Sequence, residues 1–258
     1  MRMMGRLNLD KDRTLYYETI PGNPALPVLV FLHEGLGCTA MWDGFAKQLC
    51  EKTCCPGLSY DRQGYGRSSA LTTPRTIRYL HDYAEGELSK VIDMEIGDHP
   101  YLLIGHSDGG SIALIHGARK PPQLAGIITE AAHVFVEPVT LEGIRRATHA
   151  FAKGKLKGLY KFHGDKTEQI FYAWSDTWLS SEFKFWNIED LLPDIETPLL
   201  VIQGEDDQYG TIKQVEAICS QVSGSAAPAM IKACGHAPHS DQPDKVIAAM
   251  ATFIQSVL

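Results

Sequence analysis

The stretch LLIGHSDGGSIAL, residues 102–114, constrains this chain more than any other. Residues 101–104 suit a buried strand. They run into Gly-His-Ser-Asp-Gly-Gly and then into an apolar, helix-like segment. A serine in an ordinary loop does not need a glycine two residues before and two after it. A serine on a sharp strand-to-helix turn does, because the flanking backbones pass too closely for side chains. Such a turn holds its central residue in a strained conformation with the side chain projecting outward. The helix behind it aims N-terminal N–H groups and the positive end of its dipole at that residue. Ser107 is therefore read as a nucleophile, and the chain around it as strand–turn–helix.

The same alternation extends along most of the chain. Residues 7–20 read as a hairpin about Asp10-Lys11-Asp12. The apolar run 28–32 fits a strand buried on both faces, as in a parallel sheet. Residues 41–51 are helix-like, 56–60 a short strand, and 76–94 carry helical spacing. A strand at 101–104, a helix at 109–119 and a strand at 124–129 follow. From about residue 134 to 194 no good buried strand appears. This stretch is mixed in charge and rich in aromatics, and reads as several short helices. After Pro198 the rhythm resumes, with strand 199–203, helix 211–221, strand 229–232 and a final helix 243–258. Strand–helix alternation implies an α/β sheet with helices on both faces. The expected organisation is a core of residues 1–133 and 195–258, with 134–194 inserted as a helical cap on the side where ligand loops gather.

A serine hydroxyl is a poor nucleophile at neutral pH. It needs a base, and the base needs an orienting carboxylate. In this kind of sheet the acid follows a later strand and the histidine comes last. Strand 199–203 ends in Gly204-Glu205-Asp206-Asp207-Gln208, and strand 229–232 is followed by Ala233-Cys234-Gly235-His236-Ala237-Pro238-His239. Asp207 is read as the orienting acid, with Asp206 its rival. His236 is read as the base, with His239 either packed beside it or on the surface. An oxyanion site needs two backbone donors. The N–H of Asp108 is one. The loop His33-Glu34-Gly35-Leu36-Gly37 supplies the other, assigned to Gly35 with Leu36 as rival.

At this point the chain resembles the α/β-hydrolase fold superfamily, over nearly its whole length. The pieces that carry the resemblance are FLHEGLG, SYDRQGYGRSS, GHSDGG, IQGEDDQYGT and CGHAPHSDQPDKV, in the family's order. The resemblance implies a mostly parallel sheet flanked by helices, Ser107 as nucleophile, His236 as general base and acid, and Asp207 as its partner. It also implies an acyl-enzyme and no cofactor. Asp61-Arg62 with Gly64-Tyr65-Gly66-Arg67-Ser68 looks like the family's structural loop and is read as architectural. One departure is Glu34, where many members carry glycine. Its carboxylate could repel acidic substrates, pair with a nearby cation, or point away.

The function expected is that of a carboxylesterase acting on small to medium acyl esters. Carbon–carbon bond hydrolysis or lactone hydrolysis on the same triad is the alternative. A receptor-like binder with slow turnover is a third reading, from a different class. Candidate pocket residues are Glu34, Leu36, His133, Phe135, Trp174 and Trp178. A net charge of −7 over 258 residues argues against nucleic acid as partner, since phosphate neutralisation needs a basic surface. No run approaches the roughly 20 apolar residues needed to cross a bilayer. The start has no apolar stretch of the secretory kind. The six cysteines, none in C-x-x-C spacing, read as buried reduced thiols rather than a zinc site or disulfide framework. A cytoplasmic protein that takes a small-molecule ester is expected, with no membrane partner and no metal. The chain is compatible with a homodimer.

Overall fold

Asp10 ties the first turn: its Oδ1 accepts the amides of Asp12 and Arg13 at 3.1 and 2.9 Å, an Asx turn between two strands. The structure is a computed structural model and describes residues 3–258. Strands β1 (Met3–Asn8) and β2 (Thr14–Ile20) form the expected hairpin, β1 starting earlier than the pattern indicates. The remaining strands are β3 (Val28–Leu32), β4 (Gly57–Tyr60), β5 (Tyr101–His106), β6 (Leu124–Glu130), β7 (Leu199–Gly204) and β8 (Ala226–Ile231). They form one sheet in the order β1-β2-β4-β3-β5-β6-β7-β8. The pairs β1–β2 and β2–β4 are antiparallel and all others parallel.

Strands β4, β5 and β7 are buried at every residue and β3 at all but its first, which is why 28–32 reads as a continuous apolar run rather than an alternating one. Both faces are covered. On one, α1 (Phe45–Thr53) and α10 (Pro243–Val257) bury Leu49, Met250 and Ile254 against Phe31 and Ile104. On the other, α2 (Tyr79–His81), a π-helical segment (Asp82–Leu88), α3 (Ser89–Glu95), α4 (Asp108–Gly117) and α8 (Ile212–Gln221) pack on Val30, Leu103 and Val201. Every residue of α4 is buried, including Asp108, Ser111 and His116, so it has no solvent face and is not amphipathic. The strand order reverses at β3, between β4 and β5. The ends of β3 and β5 therefore open a crevice, which is where open α/β sheets bind ligands.

Between β6 and β7 lie α5 (Pro138–Ala152), α6 (Tyr160–His163) and α7 (Thr167–Leu179), joined by 3-10 turns. Among the described residues this segment adds only one β-bridge, Phe135 to Asn187. Its aromatics largely pack on one another. Phe151 stacks on Phe171 at 3.8 Å between centroids, and Phe183 on Trp186 at 5.4 Å. It is tied to the loop after β4 by Lys166, whose Nζ donates to the carbonyls of Gly66 and Ser68 at 2.7 and 2.5 Å.

Some elements depart locally from the sequence pattern. The helix expected over 76–94 starts at Tyr79 and widens to π geometry at 82–88. That over 41–51 is a 3-10 turn (Thr39–Trp42) followed by α1. Strand β8 starts three residues before 229 and includes Pro228, which an edge strand tolerates. A short helix, α9 (Pro238–Asp241), precedes α10. Six cysteines are free; four are buried, Cys219 is half-buried and Cys54 exposed, correcting the expectation for those two. Among the described residues no helix is long and apolar enough to cross a membrane.

Candidate active site

Ser107 sits between β5 and α4 with φ 52° and ψ −115°, a left-handed conformation a non-glycine residue adopts only where its surroundings impose it. The flanking glycines show how. A Cβ at Gly105 would lie 2.2 Å from the Gly109 carbonyl oxygen, and one at Gly109 would lie 2.1 Å from that of Leu32. The Ser107 N–H donates to the Glu130 carbonyl at 2.8 Å, and the Ser107 carbonyl accepts the amides of Gly110 and Ser111 at 2.8 and 3.0 Å.

The structure brings Ser107, His236 and Asp207 into line. His236 Nε2 is 2.9 Å from Ser107 Oγ, and Nδ1 is 2.9 and 3.0 Å from the two Asp207 oxygens. Asp207 Oδ1 also accepts the amides of Tyr209 and Gly210, and Oδ2 the side chain of Gln203. Burial pushes its pKa up, but the hydrogen bond from His236, the imidazole charge and the Tyr209 amide outweigh that and lower it. An ionised Asp207 requires the proton on Nδ1 and leaves Nε2 free to accept from the serine. The Asp207 side chain is 1% exposed, whereas its neighbours Glu205 and Asp206 face solvent. His239 is neither base nor surface residue. It packs on Trp42 and its ring and amide meet the fully buried carboxylate of Glu130 at 3.0 and 2.8 Å.

The loop after β3 carries both expected second donors, Gly35 and Leu36. Its four carbonyls from His33 to Leu36 each receive a distant side chain. Arg62 Nη1 donates to His33 at 2.5 Å and Nη2 to Glu34 at 2.8 Å. Tyr65 Oη donates to Gly35 at 2.9 Å and His163 Nε2 to Leu36 at 2.8 Å. Gly35 leaves no room for a side chain, since a Cβ would meet Trp174 Nε1 at 2.5 Å. Across the gap, Asp108 Oδ2 accepts from Tyr79 Oη at 2.7 Å, and Trp178 Nε1 donates to the same phenol at 2.8 Å.

These groups enclose a cavity of about 180 Å³. Of the residues expected there, Glu34, Leu36, His133, Trp174 and Trp178 line it, with Ser107, His236, Gly35 and Asp108. Phe135 does not. It lies two residues past His133, where the chain bridges to Asn187, and its ring packs into the core instead. Thr140, Ile144 and Tyr209 complete the wall. Sequence reasoning missed them because nothing in their spacing shows which face of α5 or of the acid loop turns inward. Glu34 Oε2 lies 3.7 Å from His106 Nδ1, so of its three expected roles the pairing with a nearby cation is the one present. His106 Nε2 donates to the His236 carbonyl at 2.7 Å. Burial alone would lower the His106 pKa, but the Glu34 and Glu130 carboxylates raise it. Burial likewise opposes Glu34, yet His106 brings it down to about 2.

A family model described as "Alpha/beta hydrolase family" matches residues 29–249. The chain is similar to a 2-succinyl-6-hydroxy-2,4-cyclohexadiene-1-carboxylate synthase of Enterobacter sp. (strain 638), 28% identical over 160 residues. The match covers 61% of this chain and spans only 55% of that relative's length. It is similar over 93% of both chains to a proline iminopeptidase of Thermoplasma volcanium, at 23% identity. Among solved structures, a membrane phospholipase A superposes with a TM-score of 0.78 at 20% identity, covering 99% of this chain and 86% of that one.

Proposed function

This chain belongs to the alpha/beta hydrolase family, and we propose that it is a serine hydrolase cleaving carboxylic esters of small to medium acyl groups. The observation that carries the reading is the hydrogen-bonded line from Asp207 through His236 to Ser107 Oγ, which opens on a cavity walled by Trp174, Trp178, Leu36 and Ile144. Ser107 Oγ attacks the ester carbonyl while its proton passes to His236 Nε2. Asp207 stays ionised and holds the imidazolium. The N–H groups of Gly35 and Asp108 receive the oxyanion. The intermediate collapses, His236 protonates the departing alcohol, and an acyl-serine remains. Water, deprotonated by His236, attacks the acyl-serine; this intermediate collapses, the carboxylic acid leaves and His236 returns its proton to Ser107 Oγ. The segment 134–194 acts as a lid, since Trp174 and Trp178 on α7 form one cavity wall.

The lining also bears on the choice of substrate. Among the described residues no lysine or arginine lines the cavity, whereas Glu34 and Asp108 do. A neutral ester fits such a wall. The succinyl and carboxylate groups in the synthase relative's name would find no lysine or arginine there. The same two acids favour a second reading, hydrolysis of an amide beside a free amine, the kind of bond that the iminopeptidase relative's name denotes. Hydrolysis of p-nitrophenyl butyrate by the wild type, lost in Ser107→Ala, is the expected result; equal rates would overturn the proposal. A panel adding proline p-nitroanilide, a lactone and a carbon–carbon cleavage substrate separates the remaining readings by kcat/KM.

A further inference from the structure

The loop after β4 holds a fully buried arginine that the mechanism above does not use. Arg62 is 1% exposed, and among the described residues no carboxylate lies within salt-bridge distance of it. Its guanidinium lies over the rings of Tyr65 and Tyr83, 4.8 and 5.3 Å from their centroids, and Nε has no hydrogen-bond partner. A buried cation left unneutralised is costly, so its charge must be met by what it touches, helped by the more distant Asp108 carboxylate. It touches two carbonyls of the oxyanion loop, and no other hydrogen-bond acceptor among the described residues.

We infer that Arg62 is a positioning residue of the oxyanion site, holding and polarising the Glu34–Gly35 peptide so that the Gly35 N–H becomes a stronger, better-aimed donor. The inference rests on the serine-hydrolase reading. The Glu34 carbonyl belongs to the same amide as the Gly35 N–H. It accepts Arg62 Nη2 at 2.8 Å, His33 Nδ1 at 2.8 Å and the Gly37 amide at 3.1 Å. The His33 proton is placed by its neighbours. Its Nε2 accepts the Arg62 amide at 3.2 Å, so Nδ1 must carry the hydrogen. Burial and the Arg62 charge both keep that ring neutral. A carbonyl so loaded draws electron density from its own N–H, and hydrogen bonds in series strengthen one another. Among the described residues nothing accepts the Gly35 N–H, which leaves it for substrate. Tyr65 pins the next carbonyl, so the peptide is fixed on both sides. Asp108 has a counterpart. The carbonyl of its amide, that of Ser107, accepts two helix amides. Arg62 supplies for one donor what the start of α4 supplies for the other.

The test uses Arg62→Met and Arg62→Lys in the full chain, with rates counted per site titrated by a fluorophosphonate. An alkyl trifluoromethyl ketone, which forms an anionic tetrahedral adduct on serine, serves as probe. Losing a whole oxyanion donor costs about 10²–10³-fold in kcat, so weakening one in Arg62→Met should lower kcat about 10- to 100-fold with KM within about twofold. The trifluoromethyl ketone Ki should rise by a similar factor, the Gly35 amide proton should move upfield, and Arg62→Lys should restore part of each. A purely structural role would lower Tm and the count of active sites but leave kcat per site, Ki and the amide shift unchanged, overturning the inference. Should Arg62→Met fail to fold, Arg62→Lys decides the question at about threefold to tenfold. A wild type that forms the adduct but turns over no ester would end the esterase reading and leave Arg62 to be judged on Ki and the amide shift. A wild type with neither would overturn both.

Discussion

The elbow at residues 105–109 and the loop at residues 33–37 face each other across one cavity, yet they hold their shapes by different means. The elbow is mostly self-contained. Its left-handed serine is imposed by two glycines and by the first amides of α4, all within a few residues. The loop has less of an internal frame: only its Glu34 carbonyl is held from within, by His33 Nδ1 and the Gly37 amide. Its four carbonyls are pinned by Arg62, Tyr65 and His163, the last from the segment between β6 and β7. Geometry needed for a nucleophile can thus be built from local chain rules, whereas a donor peptide here is oriented by side chains far away in sequence.

The comparison can be broken in order of effect. Removing the nucleophile with Ser107→Ala should lower kcat by roughly 10⁴–10⁶-fold, measured on p-nitrophenyl butyrate. Asp207→Asn should cost about 10⁴-fold, because an amide no longer enforces the proton on Nδ1; retention of most activity would remove Asp207 from the triad. Gly109→Ala strikes the elbow's frame. The added methyl meets the Leu32 carbonyl, and urea unfolding should show a loss of about 2–3 kcal/mol. On the loop side, His163→Ala deletes the donor to Leu36 and the acceptor of the Gly66 amide, a bond of 2.9 Å. A stability loss of about 1–3 kcal/mol is expected. An unchanged unfolding midpoint would show that the loop does not depend on this distant histidine.

The smallest effect concerns Glu34 and His106, which link the loop to the elbow. Glu34 is depressed from 4.5 to about 2, so its contribution is present above pH 4.5 and lost as pH falls toward 2. His106 is raised above 6.5, so its contribution is full below that value and lost as pH rises through the raised one. The pair therefore stabilises most between about pH 4.5 and 6.5. Glu34→Gln should lower Tm by a few degrees in that window and by less at pH 9, read by thermal scans at fixed salt. An equal difference at every pH would mean that the pair carries no linkage.

Much of the site was legible because each triad member stands just beyond a strand end, and strand ends are marked by apolar runs meeting glycine. Asp207 and His236 could be singled out on that basis; in the structure it is Asp207, not Asp206, that meets His236, while the His239 ring meets Glu130. The cavity wall was only partly legible. Trp174 and Trp178 stood out by residue type, but Thr140, Ile144 and Tyr209 did not, and Phe135 was misplaced by one bridge to Asn187. Arg62 was read as architecture. The signal for more was its place directly after β4, the parallel neighbour of β3, since adjacent parallel strands end side by side and bring their following loops into contact.

The amino-acid sequence by itself determined the alternation of strands and helices, the elbow and the chain order of serine, acid and histidine, because each is a local pattern that packing only confirms. Tertiary structure alone decided which carboxylate meets His236, which aromatics face the cavity and what pins the loop after β3. Those outcomes depend on distances between segments that lie 28 to 129 residues apart along the chain. Only the register of one parallel sheet and the seating of its inserted helices fix such distances.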